Sequence, residues 1–325
     1  MSTVHYPDKY PELPIYIDST MMNSFRSCPQ QFYREFMCGL SSSATSVHLH
    51  AGGAIAHGLE FTRRALWEDK LSPSEALKVG LVAFTKFWGE FEPPEGHQKN
   101  YVRCAAALVA YFNHFGFDTD PIKPLYMGGK PAVEIRFSIP IPDSKHPSGE
   151  PFIYCGRLDF VGEFNGQPYG IDDKTTSSLG NYWLKQWDIR GQFIGYTWAL
   201  EQMNIHIAGM IARGIGILKT DITFAESINT YAPALKARWY TQLLRDLERM
   251  SRMWQDGYWD YNLGESCSSW GGCVFKPLCT SQNPEAWLGQ FSKRIWDPLA
   301  KDPTHSLESY RKIIEDNKQQ AIVFV

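Results

Sequence analysis

The sequence predicts an α/β fold with its strands gathered in the middle of the chain. Three observations carry this reading. Apolar residues recur at helical spacing through most of 52–117. Three alternating runs follow, over 132–139, 152–163 and 167–174, the last two joined by Asn165-Gly166, a strong two-residue hairpin signal. Helical spacing then returns over 187–203 and 232–254, on either side of a glycine-bearing, strand-like run over 208–218.

Taken in order, residues 1–17 are proline-rich and read as an extended segment. Ser19 or Thr20 is a plausible N-cap for a helix carrying Met21, Met22 and Phe25, and Pro29 starts a second short helix carrying Phe32, Tyr33 and Phe36. A polar loop covers 41–46. Gly52-Gly53 opens a helix that runs to about Trp67, and further helices span 73–91 and 99–117. Pro121 and Pro124 break this helical half. After Tyr261 the chain is loop-like and rich in Cys, Gly, Ser and Trp. A last helix is expected over 307–317, ahead of an apolar tail that ends in Ile322-Val323-Phe324-Val325.

With 43% hydrophobic and 21% charged residues in 325, the composition is that of a soluble globular protein able to bury a core without disulfides. The start, Met1 to Pro7, has neither the basic residues nor the apolar stretch of a signal peptide. No apolar run is long enough to cross a bilayer, so no membrane partner and a cytoplasmic location are expected. Seven cysteines, an odd number in a large chain, suit metal ligation or buried thiols better than a disulfide framework. A net charge of −3 neither requires nor excludes nucleic acid, because a local basic groove can sit on an acidic protein.

The chemistry concentrates at Gly156-Arg157-Leu158-Asp159 and Gly170-Ile171-Asp172-Asp173-Lys174-Thr175. Two adjacent antiparallel strands would each deliver a carboxylate near the same end, Asp159 from one and Asp172 from the other. Alternation points Asp172 and Lys174 together and turns the Asp173 side chain away, leaving its backbone carbonyl. Two carboxylates and a carbonyl form a hard-oxygen set suited to Mg²⁺ or Mn²⁺. A lysine beside such a cation can orient and deprotonate an attacking water, a minimal kit for phosphodiester hydrolysis. The plain alternative is a pair of exposed acids at a hairpin, since short motifs of this kind are common.

Two further features point the same way. His57 lies near a helix start among Gly52, Gly53 and Gly58, and a neutral imidazole there could add a ligand. A lone histidine is more often structural. Gln192 and Tyr196 share one helix face, after the strand that bears Lys174. A buried tyrosine on an amphipathic helix is the alternative.

In this order the residues resemble the RecB-type branch of the PD-(D/E)xK nuclease superfamily. The resemblance begins with the Ser/Thr-rich helix from Ser19 that ends in Cys28-Pro29-x-x-Phe32. It continues through His57, Gly156-x-x-Asp159, Asp172-Asp173-Lys174-Thr175 and Gln192-x-x-x-Tyr196, and closes on a cysteine cluster. It implies a restriction-endonuclease-like central mixed β-sheet flanked by helices. A single nuclease domain over 18–290 would hold a helical insertion at about 58–120, a catalytic sheet core at about 130–220 and the cysteine cluster at about 265–280. Residues 291–325 would follow as helix and tail. The resemblance also implies roles. His57, Asp159, Asp172 and the Asp173 carbonyl would bind Mg²⁺ or Mn²⁺, with Lys174 catalytic. Gln192 and Tyr196 would hold substrate or brace the site, with Glu60 and Glu134 as secondary candidates.

Cys267, Cys273 and Cys279 place three thiols in one short segment, and Cys28 stands where the resembling proteins carry their N-terminal cluster ligand. Thiolates select zinc or iron–sulfur, and the spacing lacks the paired Cys-x-x-Cys of zinc ribbons. The resemblance implies a [4Fe–4S] cluster, with Zn²⁺ as the lesser alternative, clamping the C-terminal segment to the N-terminal helix and closing a very long loop. The Cys-x₅-Cys from 273 to 279 agrees with the better-known members; the five residues between Cys267 and Cys273 do not, where those proteins have two. Cys38, Cys104 and Cys155 read as buried thiols.

The expected activity is therefore a metal-dependent deoxyribonuclease, an exonuclease working on single-stranded or opened DNA ends in recombination, repair or phage DNA processing. Trp183 and Trp187 could stack bases, although a core role is simpler. A catalytically silent DNA-binding module on the same fold is the competing reading. The apolar tail could pair with a partner or with a second copy, or complete its own fold.

Overall fold

The computed structural model describes residues 10–268 and 272–299. The helix expected over 307–317 and the apolar tail lie outside them. In chain order the main elements are α1 (Ser19–Ser27), α2 (Val47–Trp67), α3 (Pro73–Trp88), α4 (Tyr101–Phe115), β1 (Val133–Pro140), β2 (Ile153–Phe164), β3 (Gln167–Thr176), α5 (Gly191–Gln202), β4 (Gly209–Ile217), β5 (Ile222–Asn229) and α6 (Pro233–Asp256). They make a mixed α/β fold on a central mixed sheet. The chain divides into two compact units. One takes residues up to Thr45, Phe137–Gly156 and the segment from Pro233; the other takes Ser46–Arg136 and Arg157–Ala232.

The second unit is built on β2, β3, β4 and β5. β2 and β3 are antiparallel, from Phe160↔Ile171 to Phe164↔Gln167. Asn165 (φ 50°) and Gly166 (φ 73°) both take the left-handed backbone that the two-residue turn between twisted strands requires. β3 runs parallel to β4 from Tyr169↔Gly209 to Thr176↔Gly216, and β5 returns antiparallel to β4. All nine residues of β4 are buried, as in a strand covered on both faces.

Helices α2, α3 and α4 pack on one another and on the sheet. Ala51, Ala54, Ile55, Leu59, Phe84, Leu108 and Phe112 share a cluster with Ile215 and Ile217 of β4. The α2–α3 contact depends on bare glycine. A Cβ on Gly80 would stand 1.8 Å from Thr62 Oγ1 and 2.6 Å from the Gly58 carbonyl oxygen. α2 begins at Val47, five residues before the expected start, with Ser46 as its N-cap. Gly52 and Gly53 do not open the helix. They lie inside it, where Cβ atoms would come within 3.2 Å of Thr175 Oγ1 and 2.7 Å of Phe87.

The helix expected over 187–203 starts later, as α5 at Gly191, and a separate short helix over Asn181–Lys185 precedes it. Between them Trp187 is buried with Trp183, ring centroids 5.2 Å apart, so both tryptophans are core residues and not a base-stacking surface. β5 was not expected. Its residues alternate only weakly, with Thr, Ser and Glu among them, and it takes its register from β4.

In the first unit, Tyr16 and Ile17 pair in parallel with Ile153 and Tyr154 at the start of β2. The N-cap of α1 is Asp18, one residue before the expected serine; its carboxylate accepts the Met21 N–H at 2.8 Å. Pro29–Phe32 is a short helix and continues as a π-helical turn over Tyr33–Met37. α6 lays Trp239 against Tyr154, ring centroids 5.6 Å apart, and Trp254 donates to the Pro11 carbonyl at 2.9 Å. No helix among the described residues is long and apolar enough to cross a membrane.

Candidate active site

The β2–β3 ladder stops at Phe160↔Ile171, and Asp159 and Asp172 are the next residues on each strand. There the backbone N–H of Asp173 donates to Asp159 Oδ2 at 2.7 Å, so a side chain replaces the missing ladder acceptor. Asp172 Oδ2 pairs with Lys174 Nζ. The aspartate side chain is 3% exposed and the lysine 33%.

Residues 172 and 174 share one face of β3, and Asp173 takes the other. Asp173 Oδ2 is 2.6 Å from Arg63 Nη2, and Oδ1 accepts the Tyr111 hydroxyl at 2.8 Å. Tyr111 in turn accepts from Arg63 at 2.8 Å and from Arg213 at 3.1 Å. Arg213 grips Asp120 through two 2.7 Å hydrogen bonds and reaches Glu226 at 2.8 Å. Two helices thus hold the middle residue of the acidic strand directly and β4 backs one of them through Tyr111, each buried charge in the group matched by an opposite one.

The acids on the open face are poorly compensated. Burial pushes Asp159 up to about 7, helped by the negative charges of Asp172 and Asp173 and opposed by Lys174. Asp172 is raised by burial against the pull of Lys174. For Lys174 burial acts downward, but Asp172 and Asp159 outweigh it and hold the amine protonated above its ordinary range. Gln192 Nε2 donates to the Tyr196 hydroxyl at 2.9 Å, and burial, with the charge of Asp172, pushes that phenol up to about 12.

Glu134 is close to this group. Its carboxylate is 2.8 Å from Arg157 Nε, and burial, with the charges of Glu60 and then Asp159, drives it up to about 8. Its backbone is left-handed (φ 53°), which costs a non-glycine residue roughly 1 kcal/mol. Glu60 accepts from Arg64 at 3.0 Å and lies 3.9 Å from His57 Nδ1. His57 is set between the rings of Phe61 and Phe87, centroids 4.7 and 5.5 Å away. Asp159, Asp172, Lys174, Tyr196 and Gln192 are therefore brought together, with Glu134 and Glu60 beside Asp159; His57 joins the group through Glu60.

Among the described residues no three His, Cys, Asp or Glu side chains stand as ligands of one metal ion. Asp172 is turned onto Lys174 instead. The donor chemistry still fits a hard divalent cation: carboxylates whose protons are held first by burial and then by neighbouring negative charge are what such an ion would relieve.

In the first unit, Cys28, Cys267, Cys273 and Cys279 carry free thiols. Burial raises the Cys273 thiol, and Cys279, Cys28 and Cys267 each add to that rise. Arg34 Nη1 donates to Cys279 Sγ at 2.9 Å. Cys38, Cys104 and Cys155 are buried and pushed up to about 11 by that burial, as inert core thiols are.

Sequence reasoning missed Arg63, Tyr111, Arg157 and Arg213. Its one available signal was Arg63, a charged residue inside the buried stripe of α2 that also carries Ile55 and Leu59.

The profile of the PD-(D/E)XK nuclease superfamily matches residues 19–280. Comparison with curated proteins gives no match. Among solved structures 23 chains match. One is a candidate exonuclease from Eubacterium rectale, 15% identical, covering 78% of this chain and 86% of its own, with a TM-score of 0.42. Another is a protein described as SSO0001, 16% identical, covering 60% of this chain and 74% of its own, with a TM-score of 0.26.

Proposed function

We propose that this chain, which belongs to the PD-(D/E)XK nuclease superfamily, is a Mg²⁺- or Mn²⁺-dependent hydrolase of DNA phosphodiester bonds. The observation that carries the reading is the open end of the β2–β3 ladder. Two acids from adjacent strands and a lysine on the same face meet there. Asp159, Asp172 and the Asp173 carbonyl are the metal ligands, with His57 a further one and Glu60 and Glu134 secondary. When bound, the cation supplies Lewis-acid stabilisation of the phosphate and a water of lowered pKa.

The protein's own residues do the rest. Lys174 is an ammonium while Asp172 holds it, so it acts first as a donor. It orients the attacking water and stabilises charge that develops on a phosphoryl oxygen. Arg63 and Tyr111 keep the Asp173 side chain pinned, so its peptide cannot rotate the carbonyl away from the site. Gln192 and Tyr196 bound the opposite wall and brace the substrate backbone. The DNA is taken as single strands or opened ends and cut as an exonuclease, in recombination, repair or phage DNA processing.

A second group is proposed for the first unit, a [4Fe–4S] cluster on Cys28, Cys267, Cys273 and Cys279. Four free thiols, three of which raise the pKa of Cys273, with an arginine on one sulfur, support it. The ligands of a cluster bind different irons and stand farther apart than those of a single ion.

The test is digestion of end-labelled DNA with Mg²⁺, with Mn²⁺ and without either. Cleavage is expected only with a cation. In Lys174→Ala it should fall by roughly 10²-fold or more while DNA binding persists. A wild-type protein that binds DNA but cuts it with neither cation is not a nuclease.

A further inference from the structure

Among its described residues the second unit holds one buried cation to which the hydrolytic site gives no role. Lys99 is 2% exposed, and its ammonium donates to Thr175 Oγ1 at 3.3 Å. No carboxylate among the described residues pairs with it; the one opposing influence is the Cys104 thiol. The contrast with its neighbours is sharp. Arg63 is matched by Asp173, and Arg213 by Asp120 and Glu226. A buried ammonium without an anion is unfavourable: burial lowers the Lys99 pKa, and an anion brought beside it would relieve that cost.

Two imidazoles lie close by in this part of the unit. The Lys99 backbone N–H donates to His97 Nδ1 at 3.1 Å, so that nitrogen is an acceptor and the ring proton resides on Nε2. The His48 ring stands edge-on to His97, with centroids 5.5 Å apart. Thr175 Oγ1 already accepts from Lys99, so its own proton is directed at another acceptor, and the charge behind it strengthens that donation. Gly52 gives the threonine room, since a Cβ there would lie 3.2 Å from Oγ1. Thr175 follows Lys174 on β3, at the end where Asp159 and Asp172 lie, and alternation sends it to the opposite face.

We propose that Thr175, His97 and the buried Lys99 form an anion subsite that takes a non-scissile phosphate of the DNA strand. Thr175 Oγ1 and His97 Nε2 supply the direct donors, and Lys99 supplies the charge from behind. Such a contact fixes where the strand lies and carries no sequence preference. The subsite rests on the nuclease reading above.

The test uses fluorescently end-labelled single-stranded DNA in Mg²⁺, bound to the full-length Lys174→Ala protein across a salt series. Lys99→Met is then added, with Lys99→Gln as the second variant. Both should fold, and the Met form should melt at or above its parent. Each should bind on the order of tenfold more weakly, with a log–log salt slope shallower by about one, the signature of a lost phosphate contact. His97→Ala should show a smaller loss. Folded Lys99 variants with the parent's affinity and slope overturn the subsite and leave the nuclease standing. If neither variant folds, Lys99 is structural and the subsite is equally overturned. A Lys174→Ala protein that binds no DNA overturns the nuclease reading, and the subsite with it.

Discussion

Asp159→Asn should make the metal-free protein more stable while abolishing its proposed chemistry, and the gain should depend on pH. The side chain sits at about 7 where an unperturbed aspartate sits at 3.8. A gap of about 3 units at ~1.36 kcal/mol each is on the order of 4 kcal/mol of native-state penalty once the group is ionised. The folded state holds this proton longer than the unfolded chain does. Stability tied to Asp159 is therefore complete below pH ~4, is lost progressively as pH rises to about 7, and is flat above it. Asparagine keeps the size of the side chain and an oxygen for the Asp173 N–H, now 2.7 Å from Oδ2, and removes only the charge. Thermal melts in a chelator should place Asp159→Asn several degrees above wild type near pH ~8, with the difference closing toward pH ~4. Added Mg²⁺ should raise the wild-type melting temperature and leave that of the variant unchanged. A gap of constant size across pH, or a wild type that is the more stable protein at pH ~8, would refute the claim that burial and neighbouring acids hold the Asp159 proton.

Other perturbations test the framework around the site. Arg63→Met leaves the Asp173 carboxylate buried with Tyr111 as its remaining close partner; urea denaturation should show a loss of about 3–5 kcal/mol, much of it restored by adding Asp173→Asn. Gly80→Ala drives a methyl group to within 2.6 Å of the Gly58 carbonyl oxygen, which the α2 backbone cannot vacate, and should cost about 1–3 kcal/mol in the same assay. Anaerobically purified protein should carry iron, acid-labile sulfide and visible absorbance, all lost in Cys273→Ser; colourless wild-type protein that contains zinc alone would replace the cluster with a single Zn²⁺.

Legibility followed sequence distance. The β2–β3 hairpin was legible because Asn165-Gly166 is a local signal with a local cause, two residues that tolerate φ of 50° and 73°. The relation of Asp159 to Asp172 followed from it, since a hairpin sets its own register. Gly52 and Gly53 misled because a helix boundary and a close helix–strand contact call for the same residue. Only tertiary structure shows that Thr175 and Phe87 are what these glycines accommodate. β5 was hidden by its weak alternation, being defined by β4 and not by its own pattern. Arg63, Tyr111 and Arg213 come from two helices and a strand far apart in sequence, so nothing local marks them as partners of Asp173.

The alternation of β3 explains why the acidic strand needs more than its two acids. Asp172 and Lys174 face the open end of the ladder, where carboxylates crowd and a cation is wanted. Asp173 and Thr175 face α2, where the same strand is anchored. There Asp173 is bound to Arg63 and Tyr111. A neutral residue at 173 would leave Arg63 and Arg213 buried with less opposing charge and would free the Asp173 peptide to turn. Position 173 is therefore acidic for a structural reason, distinct from the chemistry at 172. An Asp173→Asn protein should keep Asp159 and Asp172 yet lose much of its cation affinity, read by Mg²⁺ titration of the melting temperature. Wild-type Mg²⁺ dependence in that variant would show that the strand holds its carbonyl in place without the anchor.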